Sequence, residues 1–579
     1  MIPLFSEEFS MLADEIQRPW LKNYDPVVSP TLNYKSIPLY DFLDNTAQKY
    51  PRRTAIVFNN WKINYQNLKK LTDYIAGNLK QLGIKPGDRV AIMLPNLPQT
   101  ILTYWGVLKA GGIVVMTNPL YMEKEIIHHF NDSRAKFLIT LDLLWPKISS
   151  LLPKLPLQKI FITKISDCLK FPLNLLYNLK RLKEGNAPSI PFEQQKILPW
   201  KSLLKKNQNR PKLPINPKHD LAALQYTGGT TGISKGVMLT HYNLGANVQQ
   251  CIAMLYELKE KKQVLLGILP YFHIYGLTVC VNFPTAIGAT LVPMPRFSPR
   301  DVLKTIEKTK PTIFPSAPSI FMALLQQKDI SKFDLSSIKY CISGSAPIPV
   351  EIIERFKELT GAEIIEGYGL TEASPITHLN PLRGKKKYGS IGVPFPDTDA
   401  CVVDMEVGTI PLPPGKLGEL VIKGPQVMKG YWNRPDETAS TLRNNWLYTG
   451  DIAYMDEEGY FFIVDRKKDL IISGGYNIYP REIDEVLYEH PKVKEAVTVG
   501  IPSKTRGEIV KAFIVPKDGE TLTKAEIIAF CKQKLANYKV PKQVEFRKEL
   551  PKTMVGKVLR RALREEEIKK QQQKKTKRS

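Results

Sequence analysis

The stretch Tyr226-Thr-Gly-Gly-Thr-Thr-Gly-Ile-Ser-Lys-Gly236 leaves its backbone few conformational roles. Three glycines fall within residues 228–232, so the main chain can approach a ligand without side-chain obstruction. Successive N–H groups in such a loop form an anion nest. Thr227, Thr230 and Thr231 add hydroxyl donors, and Lys235 adds a full positive charge. These are the parts of a triphosphate cradle. The order Ser234-Lys235-Gly236 separates it from a Walker loop, which requires Gly-Lys-Ser/Thr. A Gly/Thr-rich run is often a plain turn, but a plain turn has no use for three hydroxyls and a lysine.

The surrounding chain predicts an α/β fold. Apolar runs at 54–60, 89–95 and 112–118 read as strands, and 66–83 carries apolar residues at helical spacing and ends on Gly83. Strand–helix alternation over 35–135 predicts a parallel layer. The rhythm resumes over 219–385, with strands at 264–270, 288–294 and 312–317 and a helix at 299–309. Over 386–465, short strands at 399–404, 418–424 and 460–465 lie between Pro/Gly turns, which predicts a small β-barrel. The charged joint Arg466-Lys467-Lys468-Asp469 then introduces an α+β pattern. The expected division is a large N-terminal domain, 1–465, of two α/β subdomains plus the barrel. A small α+β C-terminal domain, 466–568, is hinged to it, and a basic tail, 569–579, is expected as a solvated end.

Composition excludes several classes. With 43% hydrophobic and 24% charged residues the chain is ordinary globular protein. No run of about 18 apolar residues predicts a membrane span, and the first residues have no basic-then-apolar leader pattern, so a cytoplasmic protein is expected. Six widely spaced cysteines predict reduced thiols. The net charge of +26 suits nucleic acid, an anionic membrane or anionic small molecules. No nucleic-acid-binding signature accompanies it, so nucleic acid is not expected as a partner. Within 171–183, Leu173, Leu176, Leu179 and Leu182 recur at helical spacing with Lys180, Arg181 and Lys183 behind them. Two readings stand: a helix lying on an anionic membrane surface, or one packed into its own domain.

Three further clusters carry chemistry. In Glu366-Gly-Tyr-Gly-Leu-Thr-Glu372, Tyr368 offers a flat face for a purine and Glu372 a hard oxygen ligand suited to Mg²⁺. In Trp446-Leu-Tyr-Thr-Gly-Asp451, the aspartate is placed to accept ribose hydroxyl protons. Pro551-Lys-Thr-Met-Val-Gly-Lys557 sets a lysine on a glycine turn, which alone reads as a solvated surface residue.

Taken in order, these segments resemble the ANL superfamily of adenylate-forming enzymes, and within it the bacterial long-chain fatty-acid–CoA ligases. Asn118-Pro-Leu-Tyr121, Leu269-Pro-Tyr-Phe-His-Ile-Tyr275, Ser343-Gly-Ser-Ala-Pro347, Lys429-Gly-Tyr-Trp432, Asp465-Arg-Lys-Lys-Asp469, Ser473-Gly-Gly-Tyr-Asn-Ile-Tyr-Pro-Arg-Glu482 and Tyr538-Lys-Val-Pro541 extend it from about Arg18 to Glu567. The resemblance implies ATP-dependent formation of acyl-CoA through an acyl-adenylate, with ATP and CoA as co-substrates and Mg²⁺ as cofactor. Thr227, Gly228, Gly229, Thr230, Thr231, Gly232 and Lys235 would hold the phosphates, with Thr227 and Glu372 positioning the metal. Gly344, Ser345, Ala346, Pro347, Glu366, Gly367, Tyr368, Gly369 and Thr371 would frame adenine and ribose-phosphate. Asp451 and Arg466 would take the ribose. Lys557 would neutralise the substrate carboxylate and α-phosphate, Lys468 would be the hinge, and Gly474 and Gly475 would line the pantetheine tunnel.

Some assignments keep a second reading. Arg506 matches a position that meets CoA phosphates but also reads as a solvated loop arginine. His273 reads as a positioning group beside the acyl carboxylate or as a satisfied core residue. His128, His129, His219, His241, His378 and His490 show no metal-ligand arrangement. Leu277 stands where some long-chain synthetases carry a Trp gate. Val281, Pro284 and Ala317 are small enough to permit a deep acyl tunnel. Uninterrupted sequence from Asp465 to Tyr476 favours CoA over the carrier protein used by fatty acyl-AMP ligases. An aryl (4-coumarate-type) CoA ligase and a non-catalytic acyl-binding protein compete with the fatty-acid reading. Peripheral contact with the inner face of an anionic membrane is expected, and since the family often dimerises through its N-terminal region, the resemblance also allows a homodimer to which residues 1–34 would contribute.

Overall fold

The computed structural model describes residues 17–193, 196–207, 209–227, 234–259, 261–474, 476–503, 505–553 and 558–576. The apolar runs form two large sheets whose central strands are parallel and buried on both faces, which is why they read as continuous rather than alternating hydrophobic segments. In the eight-stranded sheet, Arg89–Met93 lies between Ile113–Met116 and Phe137–Leu141. Leu221–Tyr226 follows beside Ile113–Met116, and Lys159–Thr163 and Ile197–Pro199 extend the other side. Gly236–Thr240 returns antiparallel to Leu221–Tyr226, so the two strands that flank the Gly/Thr-rich segment pair with each other. The nine-stranded sheet has a parallel core of Ile364–Gly369, Tyr340–Ser343, Ile313–Ser316, Val264–Gly267, Thr290–Pro293 and Thr54–Phe58. The helix Tyr65–Gln81 forms where its pattern predicts it. The Asn64 side chain caps its first turn by accepting from the Asn67 N–H at 2.9 Å, and Leu68, Ile75 and Leu79 face inward.

Residues 386–465 form the expected small β unit from short strands. Asp399–Val403, Gly418–Lys423, Trp446–Met455, Leu442–Arg443 and Phe461–Arg466 form an antiparallel sheet branched at its longest strand. No ladder among the described residues closes it into a ring. Val393–Pro394 and Gly430–Tyr431 leave it and pair with the nine- and eight-stranded sheets. Pro/Gly turns report short strands, whereas closure depends on which edges meet.

Beyond the joint, the C-terminal part is a five-stranded sheet built on the long pair Val493–Ser503 and Gly507–Pro516, with helices Pro480–Tyr488 and Lys524–Lys534. The buried Asp465 carboxylate straddles the joint, accepting from the N–H of Arg466 and that of Arg481, both at 2.7 Å. The basic tail begins as helix while staying largely in solvent. The helix Arg560–Thr576 runs through the expected boundary at 568, and Lys570 pairs with Glu566 at 2.8 Å and Glu567 at 2.9 Å. These i,i+3 and i,i+4 pairs favour continued helix. All six cysteines are unpaired and buried. Among the described residues no helix is long and apolar enough to cross a membrane.

Candidate active site

Parallel strands in an open α/β sheet leave their carboxyl ends facing a crevice, and that is where the sequence-predicted residues collect. Thr227 follows Leu221–Tyr226, residues 344–347 follow Tyr340–Ser343, and Glu366 to Thr371 lie at the end of Ile364–Gly369. Gly228, Gly229, Thr230, Thr231, Gly232, Gly475 and Lys557 lie outside the described residues. Thr227 and Lys235 form the described shoulders of the loop. The Thr227 N–H donates to the Lys235 carbonyl at 3.1 Å, and the Ser234 hydroxyl donates to the Thr227 carbonyl.

Two polar clusters face the crevice. In the first, Tyr368 Oη donates to Asp451 Oδ2 at 2.5 Å and Arg466 Nε donates to Asp451 Oδ1 at 3.0 Å. Asp451 is buried, and the charge beside it raises the Arg466 pKa, while burial and the same carboxylate hold the Tyr368 hydroxyl protonated. In the second, Tyr431 Oη donates to Glu372 Oε1 at 2.8 Å, and Lys235 lies 5.0 Å from the Tyr431 ring centre. Lys235 is also ion-paired with Glu437. The backbone between the clusters is tight: a Cβ on Gly369 would run into the carbonyl of Pro375, and Ser345 sits in the left-handed region at φ 75°. A Cβ on Gly344 would come within 3.2 Å of the Tyr275 ring.

His273 caps the short helix Ile274–Leu277, its Nδ1 accepting from the Tyr275 N–H at 3.2 Å. The proton of the neutral ring therefore sits on Nε2, a donor geometry that suits positioning rather than proton abstraction. The segment before it is anchored twice. Gln225 Nε2 donates to the Phe272 carbonyl at 2.6 Å, and Asn96 binds the Leu269 carbonyl at 2.8 Å and the Tyr271 N–H at 2.9 Å. Leu277, Val281, Pro284 and Ala317 are all buried beyond it, around a π-helical turn at Thr278–Asn282. Such turns recur at functional sites. Gly474 and Arg506 also meet, the Gly474 N–H donating to the Arg506 carbonyl at 2.9 Å.

Sequence reasoning missed the loop's supports. His128 Nε2 donates to the Ser234 carbonyl at 2.8 Å. His129 stands edge-on to Tyr226 with ring centres 4.0 Å apart, and burial lowers its pKa to about 3. Tyr226 Oη donates to Asp132 at 2.6 Å. One helix, Glu123–Ser133, thus braces the loop from behind, with no local pattern to announce it.

Glu366 offers a stability test. It is buried, with the Gly389 N–H donating to it at 3.1 Å, and burial pushes its pKa up to about 7. The folded state holds this proton more tightly than the unfolded chain, so the contribution is most favourable below the ordinary glutamate value and is lost as pH rises towards 7. Chemical denaturation of Glu366→Gln at pH 5 and pH 8 should show a pH-dependent loss smaller than wild type by up to about 3 kcal/mol. An unchanged pH dependence would overturn the assignment.

The Tyr368–Asp451–Arg466 and Lys235–Tyr431–Glu372 clusters, gathered at the strand ends beside the shoulders of the Gly/Thr-rich segment, fit the adenylate-forming type of enzyme. The AMP-binding enzyme family matches residues 43–432, and the AMP-binding enzyme C-terminal domain matches residues 482–557. A long-chain-fatty-acid–CoA ligase of Bacillus subtilis (strain 168) is 49% identical over 558 residues, covering 95% of this chain and 98% of that protein. A ligase of the same name from Escherichia coli O6:H1 is 40% identical over 567 residues, covering 95% and 98%. The crystal structure of ATP-bound MatB from Rhodopseudomonas palustris superposes with a TM-score of 0.79 at 28% identity, covering 92% of this chain and 99% of that one. The chain belongs to the AMP-binding enzyme family of the ANL superfamily.

Proposed function

We infer that this enzyme activates long-chain fatty acids: the acid's carboxylate attacks the α-phosphorus of ATP, releasing pyrophosphate, and CoA's thiolate then displaces AMP from the acyl-adenylate. The observation that carries the reading is the juxtaposition of the Tyr368–Asp451–Arg466 cluster with the Lys235–Tyr431–Glu372 cluster at the sheet ends. The names of the Bacillus subtilis and Escherichia coli relatives support the acyl class.

Both steps build negative charge, so preorganised cations and donors are the chemistry required. Lys235 and the loop hydroxyls would take the outer phosphates, with the triphosphate replacing Glu437 as the partner of Lys235. Asp451, oriented by Arg466 and Tyr368, would accept from the ribose hydroxyls. His273 would donate from Nε2 near the acyl carboxylate. Lys557 would carry its charge to the reacting phosphate and leave when the small domain turns about Lys468, bringing Gly474, Gly475 and Arg506 towards CoA. Glu372 and Thr227 are hard oxygen donors of the kind Mg²⁺ takes, and Tyr431 already orients the carboxylate. When bound, the ion would supply charge neutralisation at the phosphates. The net charge of +26 supports loose attachment to an anionic membrane face, and residues 1–34 remain the proposed route to a homodimer.

Thioester formation measured across saturated acids from two to eighteen carbons tests the reading. Specificity (kcat/KM) should rise with length by up to about fourfold per methylene, from about 0.8 kcal/mol each, until the tunnel ends. Acyl-AMP accumulating without thioester would make the chain a fatty acyl-AMP ligase. A preference for phenolic acids would make it an aryl-CoA ligase.

A further inference from the structure

The helix Leu173–Lys183 is turned inside out. The residues it directs at the protein are Asn174, Tyr177 and Arg181, at the i, i+3, i+7 spacing of a buried face. Arg181 is the buried anchor. Its Nη1 donates to Asp142 Oδ2 at 2.6 Å with both side chains out of solvent, and its Nε and Nη2 donate to the Asn186 carbonyl at 3.0 and 2.5 Å. The apolar residues point outward instead: Leu173, Leu175, Leu176, Leu179 and Leu182 are 39% to 65% exposed, and Phe171, just before the helix, is 76% exposed. The leucine face therefore does not pack into the helix's own domain, which the polar face contacts instead.

A contiguous apolar stripe on a rigid helix marks an interaction surface. Its rim identifies the partner. Lys170, Lys180 and Lys183 are exposed along the stripe, and Arg296, also exposed, is within electrostatic reach of the Tyr177 hydroxyl. Glu184, at the helix end, is the acid beside them and pairs with Lys180 at 3.7 Å. An apolar stripe flanked by long basic side chains suits the boundary between acyl chains and anionic headgroups, where the leucines bury and the lysines reach back to phosphate. We propose that the outward face of helix Leu173–Lys183, led by Phe171, is the surface by which this protein docks on an anionic lipid bilayer. The inference deepens the membrane contact proposed above and rests on that reading, but not on the catalytic one.

Flotation of the full chain with vesicles of mixed phosphatidylglycerol and phosphatidylcholine, against phosphatidylcholine alone, tests it. Wild type should float with the anionic vesicles and weakly with the neutral ones. Leu175→Ser/Leu179→Ser/Leu182→Ser, which alters only exposed side chains, should lower the partition coefficient roughly tenfold or more. Lys180→Glu/Lys183→Glu should do the same with anionic vesicles only. Thioester formation from a water-soluble acid should be unchanged in both variants, as a check on folding. Flotation of the leucine variant at wild-type levels would overturn the surface while leaving membrane contact standing. Failure of wild type to float would overturn both. A lipid-free dimer in sedimentation, lost in the leucine variant, would overturn the proposal and assign the face to a second copy.

Discussion

Lys557→Ala should lower acyl-adenylate formation by about 10²–10³-fold or more while leaving transfer from supplied acyl-AMP to CoA close to wild type. Two anions, a carboxylate and a triphosphate, are driven together in the first step, and the five-coordinate phosphorus carries more charge on its equatorial oxygens than the ground state does. A single preorganised donor at such a centre contributes about 3–4 kcal/mol, the source of the expected factor. The second step starts from a mixed anhydride whose pyrophosphate has left, so it does not need that charge. Pyrophosphate exchange reads the first half-reaction, and thioester formation from synthetic acyl-AMP reads the second. Equal loss in both would remove Lys557 from the adenylation site and make it a structural residue.

Asp451→Ala should raise the KM for ATP by about 10–100-fold, equivalent to about 1.4–2.8 kcal/mol, with a smaller effect on kcat. The carboxylate does two things in the structure: it accepts from Arg466 at 3.0 Å and from Tyr368 at 2.5 Å. Truncation leaves a half-buried guanidinium without its counter-charge and frees the tyrosine ring from its orientation, before any contact to ribose is counted. Transfer from supplied acyl-AMP should weaken in parallel, because the adenylate shares the ribose, whereas the KM for CoA should stay within about twofold. A change in CoA affinity with ATP affinity intact would reverse the assignment of this cluster.

Much of the site was legible because its motifs are local. The Gly/Thr-rich loop, the Glu366–Glu372 turn and the strand that carries Asp451 each suggest their chemistry within a dozen residues, and strands and helices announce themselves through periods of two and 3.6. The contacts that make those motifs one site are not local. Tyr368 reaches Asp451 across 83 residues, Tyr431 reaches Glu372 across 59, and His128 reaches the loop carbonyl of Ser234 across 106. Glu437, the ion partner of Lys235, has no sequence signal either.

The same division runs through the architecture. Pro/Gly turns at 386–465 foretold strands at 399–404, 418–424 and 460–465, and all three lie in one sheet, whereas the short pairings of Val393–Pro394 and Gly430–Tyr431 with the neighbouring large sheets had no local signal. Leucine spacing at 171–183 foretold an amphipathic helix without telling which face turns inward. The Arg181–Asp142 pair settles that orientation by taking a charged side chain into the protein and leaving the leucines outside. Element type, loop chemistry and class of fold follow from near neighbours along the chain, because turns, caps and periodicity act over a few residues. Closure of a sheet, pairing of distant charges and the facing of a helix depend on free energies shared between segments that meet only once the chain has folded.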